Sequence, residues 1–175
     1  MKHKKNNGFS LVETIVYTAI LAVTTIFVVN SLLKTVSAFN SFRVSKQINA
    51  AAINSMERMT REIKSSSQID TNNSVFDINP GKLIINKNDP GTGAPITLEF
   101  SVANSRLTIK KDNESPIALT SSGTEVSNLV FRQVATSTDL HSKAIKIELT
   151  IKSGYGNYQK TENFYDTVVL RGSYK

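Results

Sequence analysis

The chain has 175 residues, 39% of them apolar and 7% aromatic, which is room for one ordinary domain and an appendage. It has no Cys, so a disulfide framework, a Cys-based zinc or iron–sulfur site and a thiol nucleophile are excluded, and with only His3 and His141 so is a histidine-rich metal site. The net charge of +7 is unevenly spread: residues 1–64 hold nine cations and three acids (+6), and residues 65–175 hold twelve and eleven (+1). The C-terminal part therefore offers nucleic acid no net electrostatic attraction.

Residues 1–8 form a short basic polar start with Lys2, Lys4 and Lys5. The twenty residues from Thr14 to Leu33 carry no charge. As a helix they span roughly 30 Å, the thickness of a bilayer core. Thr14, Thr18, Thr24, Thr25, Asn30 and Ser31 interrupt the run. They suit a helix that packs against protein, or hydroxyls that bond their own backbone. The lysines before the run predict a cytoplasmic N-terminus. A removable secretory signal fits poorly, because Lys34 and a helix-compatible stretch follow the run where small residues should mark a cut. Glu13, at the edge of the run, would cost about 2.5–3.5 kcal/mol if drawn to the bilayer centre, so it needs a partner, a proton or access to water.

Neither Gly nor Pro occurs between Phe9 and Asn79, and the pattern predicts one helix from Phe9 to about Lys64. Ile48, Ala52, Met56, Met59 and Ile63 recur at spacings of three and four, which makes one packing face. Glu57, Arg58, Arg61 and Lys64 lie away from it, and Val36, Phe39, Phe42 and Ile53 lie on another face.

From Ser65 the composition turns to Ser, Asn, Thr and β-branched residues. Residues 65–74 read as a loop. Val75–Ile78 and Lys82–Asn86 around Asn79-Pro80-Gly81 predict a hairpin, and Ile96–Val102 with Arg106–Lys111 a second. A short strand is expected at Pro116–Thr120 and longer ones at Val126–Ala135, Ala144–Lys152 and Asn163–Arg171. Ile145, Ile147, Leu149 and Ile151 alternate with polar residues, the period of a half-buried strand. The expected fold is α+β, with the helix stripe packed on one face of an antiparallel sheet.

Chemistry is sparse. No Ser-His-Asp spacing, G-x-S-x-G or Walker loop is present, so no enzyme activity and no cofactor or metal is expected. His141 reads as a lone loop residue. Asp70, Asp77, Asn72, Asn73 and Asn79 supply oxygens without EF-hand spacing and read as solvated turn residues. Tyr155, Tyr158 and Tyr165 near Lys152 and Lys160 could stack on single-stranded DNA, but loop and packing roles account for them.

The N-terminal elements together resemble a known family. Gly8-Phe9-Ser10-Leu11-Val12-Glu13, after a basic leader and before an uncharged run, is similar to the cleavage signal of type IV pilins and type II secretion pseudopilins. Ser10 and Val12 differ slightly from the commonest spelling. The resemblance implies a pilin-like fold, cleavage between Gly8 and Phe9 by a prepilin peptidase, N-methylation of Phe9, and a filament-assembly role for Glu13. It divides the chain into a leader (1–8), a transmembrane and assembly half-helix (9–35), an amphipathic half-helix (36–64) and a β-rich extracytoplasmic head (65–175). The closing strands resemble those of J-like minor pseudopilins. The implied function is a structural subunit of a type IV pilus-like filament serving secretion, adhesion, motility or DNA uptake. Its partners would be the peptidase, other subunits, the assembly platform and, before assembly, membrane lipid. The alternative is a filament-tip module whose head contacts DNA or a secreted substrate.

Overall fold

The computed structural model describes residues 10–135, 143–156 and 158–170. Gly8, Phe9, the basic leader, His141 and Arg171 lie outside the described residues. The described residues form one helix and eight strands: α1 (Leu11–Ser65), β1 (Gln68–Ile69), β2 (Leu83–Asn88), β3 (Pro95–Ala103), β4 (Arg106–Lys111), β5 (Ile117–Ala118), β6 (Thr124–Ala135), β7 (Lys143–Tyr155) and β8 (Tyr158–Val169). It divides into two compact units, residues 1–41 and 42–175.

The first unit carries Leu11–Ser41 of α1. Ser10 supplies the first helical acceptor, its carbonyl taking the Thr14 N–H at 3.1 Å. Its large apolar side chains, Leu11 through Phe39, are all exposed.

The second unit is an α+β domain with two antiparallel sheets. The first has the order β1-β2-β3-β4-β5 and the second β6-β7-β8. Val44, Ile48, Ala51, Ala52, Met59 and Ile63 of α1 join residues of both sheets in one core, with Phe100 and Phe131 among its largest buried side chains. Side-chain bonds fix the course of this half of α1. Lys160 donates to the Ser45 hydroxyl at 3.0 Å and Thr60 donates to Asp166 at 2.6 Å. Fifteen helical residues cover roughly 22 Å and six strand residues roughly 20 Å. The helix therefore runs along β8 in the same direction.

Two sheets stand where the sequence predicts one, and the expected 75–86 hairpin explains why. Residues 75–78 form no strand; Val75 makes a single bridge to Lys82. The segment instead binds the outer edge of β6. Asp77 N–H donates to Phe131 O, Gly81 N–H to Leu129 O, and Leu129 N–H to the Asn79 side chain. These bonds occupy the edge that another strand would need. Residue Ser127 bulges out of the β6–β7 ladder, which brings Val126 inward before it and Leu129 and Phe131 inward after it. The β3–β4 turn is Asn104-Ser105, both at positive φ, as a two-residue type I′ hairpin requires. Strand β8 begins at Tyr158, five residues before the predicted start. Its first half is charged and polar, so the apolar signal is weak there, and only pairing with β7 makes it a strand.

Gly81 is a test of this edge contact. A Cβ there would sit 3.0 Å from Leu129 O, 3.2 Å from the Phe131 ring and 3.3 Å from Phe131 N. Gly→Ala elsewhere gains about 0.4–1 kcal/mol of chain entropy, but crowding fixed backbone costs about 1–3 kcal/mol. Gly81→Ala should therefore destabilise the domain by about 1 kcal/mol, measured by denaturant unfolding of the full chain in detergent. An unchanged midpoint would mean that the edge contact yields freely.

Candidate functional site

The segment with least cover is Leu11–Ser41. Leu11 is 75% exposed, Phe27 74% and Phe39 69%, and apolar residues face every direction around the helix. No residue from Leu11 to Ser41 is buried within the protein. An apolar surface of this extent calls for lipid or another protein against it. The helix is long and apolar enough to cross a membrane.

Its polar residues are compatible with that. Thr18 Oγ1 donates to Thr14 O and Ile15 O, Thr24 Oγ1 to Ile20 O and Leu21 O, and Thr25 Oγ1 to Leu21 O, at 2.8–2.9 Å. Thr14, Thr35 and Ser37 bond backward in the same way. Each of these hydroxyls is satisfied within the helix, so none of them needs a partner helix to accommodate it. Glu13 lies in the first turn, and the Tyr17 hydroxyl donates to its Oε1 at 3.2 Å.

In the head the packing face comprises Ile48, Ala52, Met59 and Ile63, all fully or almost fully buried, with Met56 partly buried against the same core. The structure extends that face to Val44, Ala51, Ser55 and Glu62. Glu62 was not read from the sequence as buried, although it continues the phase of Ser55 and Met59. A buried carboxylate must be paired. Arg58 approaches Oε1 at 3.0 Å, and Lys87 on β2 binds Oε2.

A second charged group lies on the outer side of the β6-β7-β8 sheet. Arg132 donates to both Glu148 oxygens, at 3.0 and 3.3 Å, and to Asp77 at 3.0 Å, while Lys146 reaches Glu148 at 2.8 Å. The Arg132 and Lys146 hydrogen bonds hold the Glu148 carboxyl down to about 2.

The oxygen-bearing residues 70–79 do not converge. Asp70 accepts from Asn72 N–H, Asn73 N–H and the Asn73 side chain, and these bonds, led by the side-chain one, lower its pKa. Asp77 turns to Arg132 and Asn79 to Leu129. Among the described residues no group of three or more His, Cys, Asp or Glu side chains could hold a metal ion. The tyrosines also separate. The Arg43 guanidinium lies 4.3 Å from the Tyr155 ring centre, Lys146 lies 5.6 Å from that of Tyr165, and Tyr158 packs on the core. No family model, curated protein or solved structure matches the chain.

Two predictions follow from the charges of the head. Lys87→Met leaves the Glu62 carboxylate half-paired and should cost about 2–4 kcal/mol in denaturant unfolding. The double variant Glu62→Met/Lys87→Met should recover most of that loss, and a double variant no more stable than the single would refute the pairing. The second concerns pH. A carboxyl held at about 2 when folded, below its ordinary 4.5, contributes stability that is fully present above pH 4.5. That contribution is lost as the pH falls through about 2. The stability advantage of the parent over Glu148→Gln should thus shrink between these limits and be constant above them, as read by unfolding across acid pH.

Proposed function

We propose that the chain is a minor, J-like pilin or pseudopilin, a structural subunit of a type IV pilus-like filament. The observation that carries this reading is the uncovered helix segment whose uncharged run, Thr14 to Leu33, comes after a basic leader, Gly8-Phe9 and Glu13 and before a β-rich head. A helix of this kind can rest in lipid and later exchange lipid for neighbouring copies, since both present apolar surface. Gly8 gives a peptidase an extended, unhindered backbone to hold. Cutting before Phe9 leaves the whole apolar helix in place, which a secretory cut would not.

On this reading the N-terminus starts in the cytoplasm and the head lies outside it. A prepilin peptidase removes residues 1–8 and Phe9 is N-methylated. Glu13 then pairs with the terminal ammonium of an adjacent subunit, in surroundings of low dielectric where the attraction is strong. The assembly platform and the other subunits are the remaining partners. The role is structural rather than enzymatic.

Processing tests the proposal. Co-expression with a prepilin peptidase should shorten the chain by residues 1–8 and add one methyl to Phe9, read by intact mass and by the N-terminal peptide. Gly8→Leu should abolish the cut. Retention of Met1 in the presence of an active peptidase, or a cut beyond residue 30, would overturn the assignment.

A further inference from the structure

The tip of the β7–β8 hairpin lies beside the first residues of α1 in the head. Arg43 stacks on Tyr155, Lys160 binds Ser45, and Ser153 bonds Gln47 at 3.1 Å. The chain turns there at Gly156, whose φ is +58°. Nine residue steps of helix separate Arg43 from Lys34, where the uncharged run has just ended. Their path length is about 13 Å. Val36, Phe39 and Phe42 fall within that path at spacings of three, and all are exposed. On the spanning-helix reading these side chains carry the apolar surface of α1 up to the residue before Arg43.

The charge there has one sign to spare. No Asp or Glu occurs from Thr14 to Met56. Arg43 and Lys46 are exposed, and among the described residues neither Lys46 nor Lys152 makes an ion pair. Lys160 is taken up by Glu162, and Glu125 lies across the ladder from Lys152. These segments thus carry four cations, Arg43, Lys46, Lys152 and Lys160, against two acids, Glu125 and Glu162, with the exposed Tyr155 stacked on Arg43. Cations on long apolar stems flanking a Tyr suit the boundary between headgroups and water.

The geometry points to a lipid-docking surface: Arg43, Lys46 and Lys152, with Tyr155, seat the hairpin tip on anionic headgroups of the bilayer that the helix spans. This rests on the spanning helix of the proposed function and adds a lipid contact of the head before assembly. The attraction acts within about one Debye length, roughly 8–10 Å, and is screened by salt.

The chain has no native Cys, so a single label can report the contact. Gln159→Cys places an environment-sensitive fluorophore at the tip. Thr92→Cys serves as the distant control, because the β2–β3 loop follows Lys87, which binds Glu62 at the other end of this half-helix. The full chain is reconstituted in vesicles of phosphatidylcholine with or without phosphatidylglycerol, and embedding is checked by flotation and by resistance to alkaline extraction. The label at 159 should shift to the blue and be quenched by a headgroup-level quencher in anionic vesicles, and high salt should reverse both effects. The label at 92 should stay aqueous. Lys46→Gln and Lys152→Gln should each lower the docked-to-free ratio about fivefold, whereas Lys→Arg at both sites should preserve it. An embedded chain whose 159 label behaves like the 92 label, or responds equally in the double Gln variant, overturns the docking surface alone. A chain that is extracted by alkali overturns the spanning helix, and the docking surface with it.

Discussion

A single helical sequence has to satisfy two surroundings, and the rest of the molecule follows from that. Within the head, α1 buries one stripe from Val44 to Ile63 against both sheets, and its other sides are mostly polar, with Ile53 exposed. From Leu11 to Ser41 it is apolar on every side and buries nothing. The backbone requirement is the same in both stretches, since every N–H and C=O must be satisfied inside the helix. The absence of Gly and Pro over the first 78 residues other than Gly8 meets it. The difference lies in the side chains, and it separates a surface that the protein covers itself from one that calls for lipid or another protein against it.

The head is built to complement the buried half of that helix. The two sheets are only thinly joined to each other, through bonds such as Val126 N–H to Ser105 O, yet both send side chains to the same stripe. The helix is thus the common wall of a core that neither sheet encloses alone. Polar contacts set its register: Ser45 and Thr60 engage β8, Gln47 engages β7, and Glu62 engages β2 through Lys87. Burying Glu62 is unfavourable without its partners, so helix and sheet meet where Arg58 and Lys87 both reach it.

Edges of the sheets are treated unequally. The outer edge of β6 is closed by residues 77–81, and the edge at β5 is only two residues long. Strand β8 is a twelve-residue edge with alternating half-buried and exposed residues. Its polar and charged side chains, Lys160, Glu162 and Asp166 among them, are bonded to neighbours, which discourages indiscriminate strand pairing.

Much of this was legible in the sequence because it depends on near neighbours. The uncharged run, the Gly- and Pro-free helix and the stripe of Ile48, Ala52, Met59 and Ile63 are periodic properties of adjacent turns. The 106–111 and 144–152 strands carry their own alternation. The Gly8-Phe9 signal and Glu13 are likewise local patterns, and with the basic leader and the uncharged run they support the proposed filament function. Long-range competition decided the remainder. The Asn-Pro-Gly segment looked like a hairpin turn, but its backbone groups found a better partner in β6, and two sheets formed in place of one. The first half of β8 carries too little apolar signal to be read alone and is fixed by its ladder to β7. Glu62 shares the stripe's phase, but its burial became tenable only when β2 brought Lys87 to it, because a carboxylate leaves water only where its counter-charge is already placed.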